Sequence, residues 1–206
     1  TISSASYDPA IQDKYINNLE WAVKADYNGD GWDSSLMVFD GFEHVPYLKY
    51  ESFSGSLLAP QIGLKKYYNR QMAFGWDGSY GFDRFVLKGE LVYFRTVNRD
   101  QNALETPPYY YSVVGVETPL TDRIRLLGQM AYRYFPDMRT YQDATGINVI
   151  DRDINREVAR YNMLIHGSQS IHDFMSLVRL SWTNEDLGLE GEINVLYNLT
   201  GKDNIL

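Results

Sequence analysis

The chain of 206 residues contains no cysteine and only three histidines. The first absence excludes a disulfide-stapled scaffold, thiol catalysis and thiolate metal sites. There is no long hydrophobic run; apolar stretches such as Val113-Val114 are only a few residues, far short of the ~18 a transmembrane helix needs. There is no excess of positive charge. The formal net charge of −8 argues against a general nucleic-acid binder, which draws its affinity from Lys and Arg on phosphates. The segment Thr1-Ile2-Ser3-Ser4 has neither the basic nor the apolar region of a signal peptide, a pattern that a mature exported chain and a cytosolic one share.

What is present is aromatic. Seventeen Tyr, nine Phe and four Trp make 15% of the chain, within an apolar fraction of 44%, too high for a disordered segment. The mean hydropathy of −0.37 describes a polar chain on average. A strand that alternates apolar and polar residues gives the same average, so this value does not separate a soluble domain from a membrane-spanning β-barrel.

Alternation is the dominant pattern. Leu19, Trp21, Val23, Ala25 and Tyr27 interleave with Glu20, Ala22, Lys24 and Asp26. Phe85, Leu87, Gly89, Leu91 and Tyr93 interleave with Val86, Lys88, Glu90 and Val92. Leu126, Gly128, Met130, Tyr132 and Tyr134 interleave with Arg125, Leu127, Gln129, Ala131 and Arg133. Leu187, Leu189, Gly191, Ile193, Val195 and Tyr197 interleave with Gly188, Glu190, Glu192, Asn194 and Leu196. Weaker runs cover 32–42, 71–80, 109–117 and 174–182. The reading predicts about eight strands of ~9–12 residues, longer than the ~5–6 of ordinary globular strands and matched to the ~9–11 of a tilted membrane-spanning strand.

The aromatics gather toward predicted strand ends: Trp21, Tyr27, Trp32, Trp76, Tyr80, Tyr93, Phe94, Tyr109 to Tyr111, Tyr132, Tyr134, Trp182 and Tyr197. Membrane barrels carry such girdles at both interfaces, although any strand favours aromatic residues. Connections alternate in length. Hairpin residues lie at Asn28-Gly29-Asp30-Gly31, Gly81-Phe82-Asp83-Arg84, around Pro119-Leu120-Thr121-Asp122 and at Thr183-Asn184-Glu185-Asp186. Between them run long polar connections over roughly 43–69, 97–108 and 136–172. Within the last, 157–172 reads as an extended segment leading into the strand that ends at Trp182, and 9–18 as a helical turn in a loop.

Three stretches carry a family resemblance. Trp32-Asp33-Ser34-Ser35-Leu36-Met37-Val38-Phe39-Asp40-Gly41-Phe42-Glu43, followed by Pro46, resembles a strand-and-loop start in the porin-like outer-membrane β-barrels of Gram-negative bacteria. Phe85 to Phe94, around Lys88-Gly89-Glu90, resembles a later strand of these proteins, and Leu187 to Leu199, followed by Gly201-Lys202-Asp203, a late loop approach. The resemblance spans most of the chain and concerns architecture rather than substrate. It implies an all-β, antiparallel up-and-down barrel in the bacterial outer membrane, a single domain over 1–206. Such barrels end on an aromatic strand, whereas this chain stops at Asn204-Ile205-Leu206, so the expectation is a barrel incomplete at both ends, of ~12–18 strands when whole.

The function expected is a pore for passive or substrate-selective passage of small solutes, without catalytic residues or cofactors, contacting outer-membrane lipid, small solutes and either a second copy or a partner protein, and no nucleic acid. Lipid is expected at Leu19, Trp21, Val23, Leu87, Leu91, Tyr93, Leu126, Met130, Tyr132, Leu189, Ile193 and Val195. The lumen is expected at Lys24, Lys88, Glu90, Arg125, Gln129, Arg133, Arg179, Glu190 and Glu192, with a mixed field. Two competing readings are a secreted β-barrel or sandwich binding carbohydrate through Tyr and Trp, and a barrel scaffold holding a partner.

Two motifs carry weaker chemistry. Asp26, Asn28 and Asp30 followed by Gly31 match the first half of a calcium loop, but Met37 stands where the closing Glu belongs, so a hairpin is the stronger reading. His166, Ser168, Ser170, His172 and Asp173 have the residue types of a hydrolase, which needs a nucleophile within ~3 Å of its base.

Overall fold

A computed structural model describes residues 5–7, 19–56, 59–97, 106–168, 170–184 and 186–200. Its strands are β1 (Ala5–Tyr7), β2 (Trp21–Asn28), β3 (Trp32–Phe42), β4 (Tyr47–Ser56), β5 (Ala59–Tyr67), β6 (Arg70–Gly81), β7 (Val86–Thr96), β8 (Tyr109–Thr121), β9 (Ile124–Tyr134), β10 (His172–Asn184) and β11 (Leu189–Asn198). One helix, α1 (Val149–Ile165), follows a 3-10 turn at Tyr141–Asp143.

Eight strands form one antiparallel sheet in the order β11-β10-β9-β8-β7-β6-β3-β2. Every neighbour is the next strand of this sheet in sequence, as in an up-and-down meander. The all-β expectation therefore holds, and the long alternating runs became its strands. Among the described residues the sheet does not close on itself, because β2 and β11 each pair on one side only. All eight residues of β2 and all ten of β11 are exposed.

Connection length follows the end of the sheet. At one end β2–β3, β6–β7, β8–β9 and β10–β11 are joined by short turns. Gly31 sits at φ +77° in the first, a left-handed backbone that favours glycine. The Gly81 N–H donates to Gly31 O at 2.8 Å and ties the first two turns together. β8 continues through Pro119 and a register shift at Leu120 to Thr121, so the third turn lies one step later, at Asp122-Arg123. A proline near a strand end beside an irregularity removes no central ladder bond.

The opposite end carries the long connections, and two expectations are corrected there. Residues 43–69 are not an unstructured loop; they form the β4–β5 hairpin, which makes a second sheet with β1 in the order β1-β5-β4. Residues 157–172 are not an extension of β10. The helix runs through them to Ile165, and β10 begins only at His172. Local signals explain the helix. The Asn148 side chain caps it by accepting from Asp151 N at 2.8 Å, and Ala159, Asn162 and Met163 fall on one buried stripe at helical spacing. It ends in a Schellman arrangement, with Gly167 at φ +62° and the Ser168 N–H donating to Met163 O at 3.0 Å. The segment 9–18, expected as a helical turn, lies outside the described residues.

Candidate functional site

The pairing register assigns each side chain of the large sheet to a face, since directly paired residues point the same way. One face carries Trp21, Val23, Leu36, Val38, Phe74, Trp76, Leu87, Leu91, Tyr93, Val114, Leu126, Met130, Tyr132, Val178, Leu180, Leu189, Ile193 and Val195 in one continuous field. Nothing covers it. Leu36 is 62% exposed, Val114 57% and Ile193 64%. Soluble monomers rarely expose contiguous apolar patches beyond a few hundred Å².

Aromatic rings border this field at both ends. At the short-turn end Tyr27 packs on Trp32 at 4.7 Å, Tyr80 on Phe82 at 4.7 Å and Phe82 on Phe85 at 4.4 Å. At the other end Tyr93 packs on Tyr110 at 4.9 Å, Tyr132 on Phe174 at 4.6 Å and Tyr134 on His172 at 5.1 Å. Trp182 and Phe174 belong to opposite borders of β10. The band between them is about 26 Å along the strand at ~3.3 Å per residue. Trp76 departs from this pattern, since its partners Leu36 and Leu91 place it within the band. Phe94 and Tyr109, stacked at 4.6 Å, lie on the other face.

That other face is polar. Lys24, Lys88, Glu90, Arg125, Gln129, Arg133, Arg179, Glu190 and Glu192 all lie on it. So do five carboxylates beyond that set: Asp26, Asp33, Asp77, Glu117 and Asp173. Their partners form cross-strand ladders. Lys24 Nζ lies 3.0 Å from Asp26 and 3.8 Å from Asp77. Lys88 Nζ lies 2.6 Å from Glu117, with Arg125 at 3.8 Å from the same carboxylate. Arg179 reaches Glu192 at 3.5 Å and donates to Asn194 at 2.9 Å. These are half-exposed pairs, each worth little to stability. Eleven of the twelve residues expected at lipid share the apolar face, and Leu19 is exposed just before β2.

The long connections fold against the polar face at its far end and build a cap. Arg133 is the main anchor: it donates to Gly167 O after the helix and pairs with Asp173 at 2.6 Å, while its guanidinium lies 5.1 Å from the Phe135 ring centre. Thr96 Oγ1 donates to Thr106 O at 3.0 Å. Inside the cap, buried Asn162 accepts from Leu48 N at 2.9 Å and donates to Leu48 O at 2.8 Å, satisfying the β4 backbone from α1. Tyr50 donates to Asp151 at 2.8 Å. Tyr47, wholly buried, donates to Glu43 Oε2 at 2.8 Å, accepts from Thr106 N at 3.1 Å and stacks on His166 at 3.8 Å. Burial, and then the Glu43 charge, push the Tyr47 hydroxyl up well beyond its ordinary range.

The hydrolase residue types are not assembled into a nucleophile and base. His166 Nδ1 lies 2.7 Å from Glu43 Oε1. Ser170 Oγ donates to His172 O at 2.9 Å, His172 Nδ1 lies 2.8 Å from the Tyr132 hydroxyl, and Asp173 belongs to Arg133. The calcium motif is a hairpin: Asp26 is taken up by Lys24, and the Gly29 N–H donates to Trp32 O at 2.8 Å. Among the described residues no three His, Cys, Asp or Glu side chains come together as a metal site. The cap residues Glu43, Tyr47, Asn162 and Thr106 were missed by sequence reasoning. Their partners are up to 123 residues away, and no local spacing announces such contacts. No protein family, curated protein or solved structure matches the chain.

Proposed function

We propose that this sheet is part of a transmembrane β-barrel of the bacterial outer membrane, and that the barrel passes small solutes along its polar face. The observation that carries the reading is the uncovered apolar field bordered by aromatic rings at both ends. At a strand tilt of ~35–45° the ~26 Å along the strand spans roughly 18–21 Å of membrane height between the bordering rings, which falls within the ~25 Å apolar band of such barrels. Short turns at one end and long connections at the other fit periplasmic and extracellular sides. The exposed edge strands β2 and β11 favour a barrel larger than these eight strands, since long open edges invite further pairing. Along the polar face Asp26, Asp33, Asp77, Glu90, Glu117, Asp173, Glu190 and Glu192 outnumber Lys24, Lys88, Arg125, Arg133 and Arg179. That excess favours small cations over anions within the lumen.

Planar-bilayer conductance tests the function. The expected result is discrete channel steps with a reversal potential displaced toward cations in a salt gradient. Stable insertion without conductance contradicts the pore and favours a barrel scaffold for a partner. Detergent-free solubility contradicts the membrane reading and favours the secreted carbohydrate binder.

A further inference from the structure

The apolar field is not uniformly filled. Ser34, Gly78, Gly89 and Val114 are successive partners across β3, β6, β7 and β8. Two adjacent glycines in this row make room for the Trp76 indole, which lies over both, between a ridge at Leu36 and Leu91 and another at Trp32, Tyr80 and Leu87. The result is a cleft of about 620 Å³. The Trp76 indole forms one wall. Its Nε1–H donates to Ser34 Oγ at 2.9 Å, and its ring edge lies 3.1 Å from where a Cβ on Gly78 would stand. Gly128, on the same face, has open space around it, without an indole packed over it.

We propose that this cleft seats one acyl chain of a phospholipid from the leaflet at the short-turn end. The inference rests on the lipid-facing reading above and adds a defined site to it. Three observations select this occupant. The cleft is continuous with the apolar field, where hydrocarbon is the surrounding medium and an unfilled void forfeits its contacts. It runs across the strands, so a strand tilt of ~35–45° sets it oblique to the membrane, open to a descending chain. Its wall toward the short turns is formed by Trp32 and Tyr80, at the depth where aromatic belts meet head groups. The two turns above it expose Asp30, Asp83 and Arg84, both signs of charge, which suits an amine-headed zwitterionic phospholipid.

The test uses Trp76 as reporter in protein carrying Trp21→Phe, Trp32→Phe and Trp182→Phe, titrated in detergent micelles with phosphatidylethanolamine bearing brominated chains. The expected result is quenching that saturates at a few lipids per protein. Val114→Phe, which fills the open side of the cleft, raises the half-saturating lipid at least fivefold. Met130→Phe, next in the same row and outside the cleft, changes it less than twofold. Quenching that rises without a plateau, or that responds equally to the two variants, overturns the site. Insertion of the four-tryptophan protein into vesicles of the same brominated lipid separates the two readings. If Trp21, Trp32, Trp76 and Trp182 are quenched together there but no saturable site is found in micelles, the lipid-facing reading stands and the cleft proposal falls. If none is quenched in vesicles, the lipid-facing reading itself fails.

Discussion

The large sheet and its cap hold together in different ways. Between its open edges β2 and β11 the sheet satisfies its backbone within its own ladders, and its side chains only sort by face; its apolar residues remain exposed and its ion pairs half-exposed. The cap is the reverse. Its apolar core is slight, with Ala144, Ala159 and Tyr141 as one small cluster, and buried polar groups join segments distant in sequence. The sheet therefore depends on its surroundings for stability, whereas the cap depends on each of its hydrogen bonds.

The contrast is broken most strongly by charging the apolar field. Leu91→Arg, within the band, should cost ~2–4 kcal/mol of folding stability in a bilayer. Gln129→Arg, on the polar face, should cost under ~0.5 kcal/mol. Denaturant titration in vesicles of both variants measures the difference, and equal costs would remove the distinction between the faces.

In the cap the largest effect is expected at Asn162. Asn162→Ala leaves the Leu48 N–H and C=O without their partner, a cost of ~2–3 kcal/mol at about 1 kcal/mol or more per buried group. The helix should undock while the sheet persists. Faster tryptic cleavage at Arg152, Arg156 and Arg160, with unchanged strand circular dichroism, would report this.

Tyr47→Phe should cost less, ~1–2 kcal/mol, and should change the pH response. The buried hydroxyl is held protonated, so its contribution is complete below pH ~10 and fades as pH rises beyond that value. The helical signal of the parent protein should therefore decline between pH 10 and 12, and that of Tyr47→Phe should depend on pH less. The smallest effect belongs to the polar face: Lys88→Ala removes a half-exposed pair with Glu117 and should shift stability by less than ~1 kcal/mol.

Legibility in the sequence follows the same division. Period-2 runs such as 85–94 and 187–197 announced the sheet and its two faces, because each strand repeats its pattern over ten or so residues. Turn residues such as Asn28-Gly29-Asp30-Gly31 announced the short end. The cap was not legible. Tyr47, Tyr50 and Leu64 sit in strands of a small sheet, without the repeated alternation that marked the large one. The helix was mistaken for an extended segment because Met163, Leu164 and Ile165 read as a β-prone run when taken alone. Its cap at Asn148 and its stop at Gly167 lie at the two ends of a much longer window. Trp76 shows the limit of reading aromatics as border markers: its position in the band follows from register with Leu36 and Leu91, which only pairing supplies.

The absence of cysteine makes the central claim directly accessible, since a single introduced thiol can be labelled without background. Single cysteines from Leu87 to Tyr93, each carrying a nitroxide, should show a period-2 profile in lipid vesicles. Positions 87, 89, 91 and 93 should collide with oxygen dissolved in the bilayer, and positions 88, 90 and 92 with a water-soluble nickel chelate. A profile without alternation, or one with Leu91 as open to the chelate as Lys88, would contradict the membrane-facing account of this sheet.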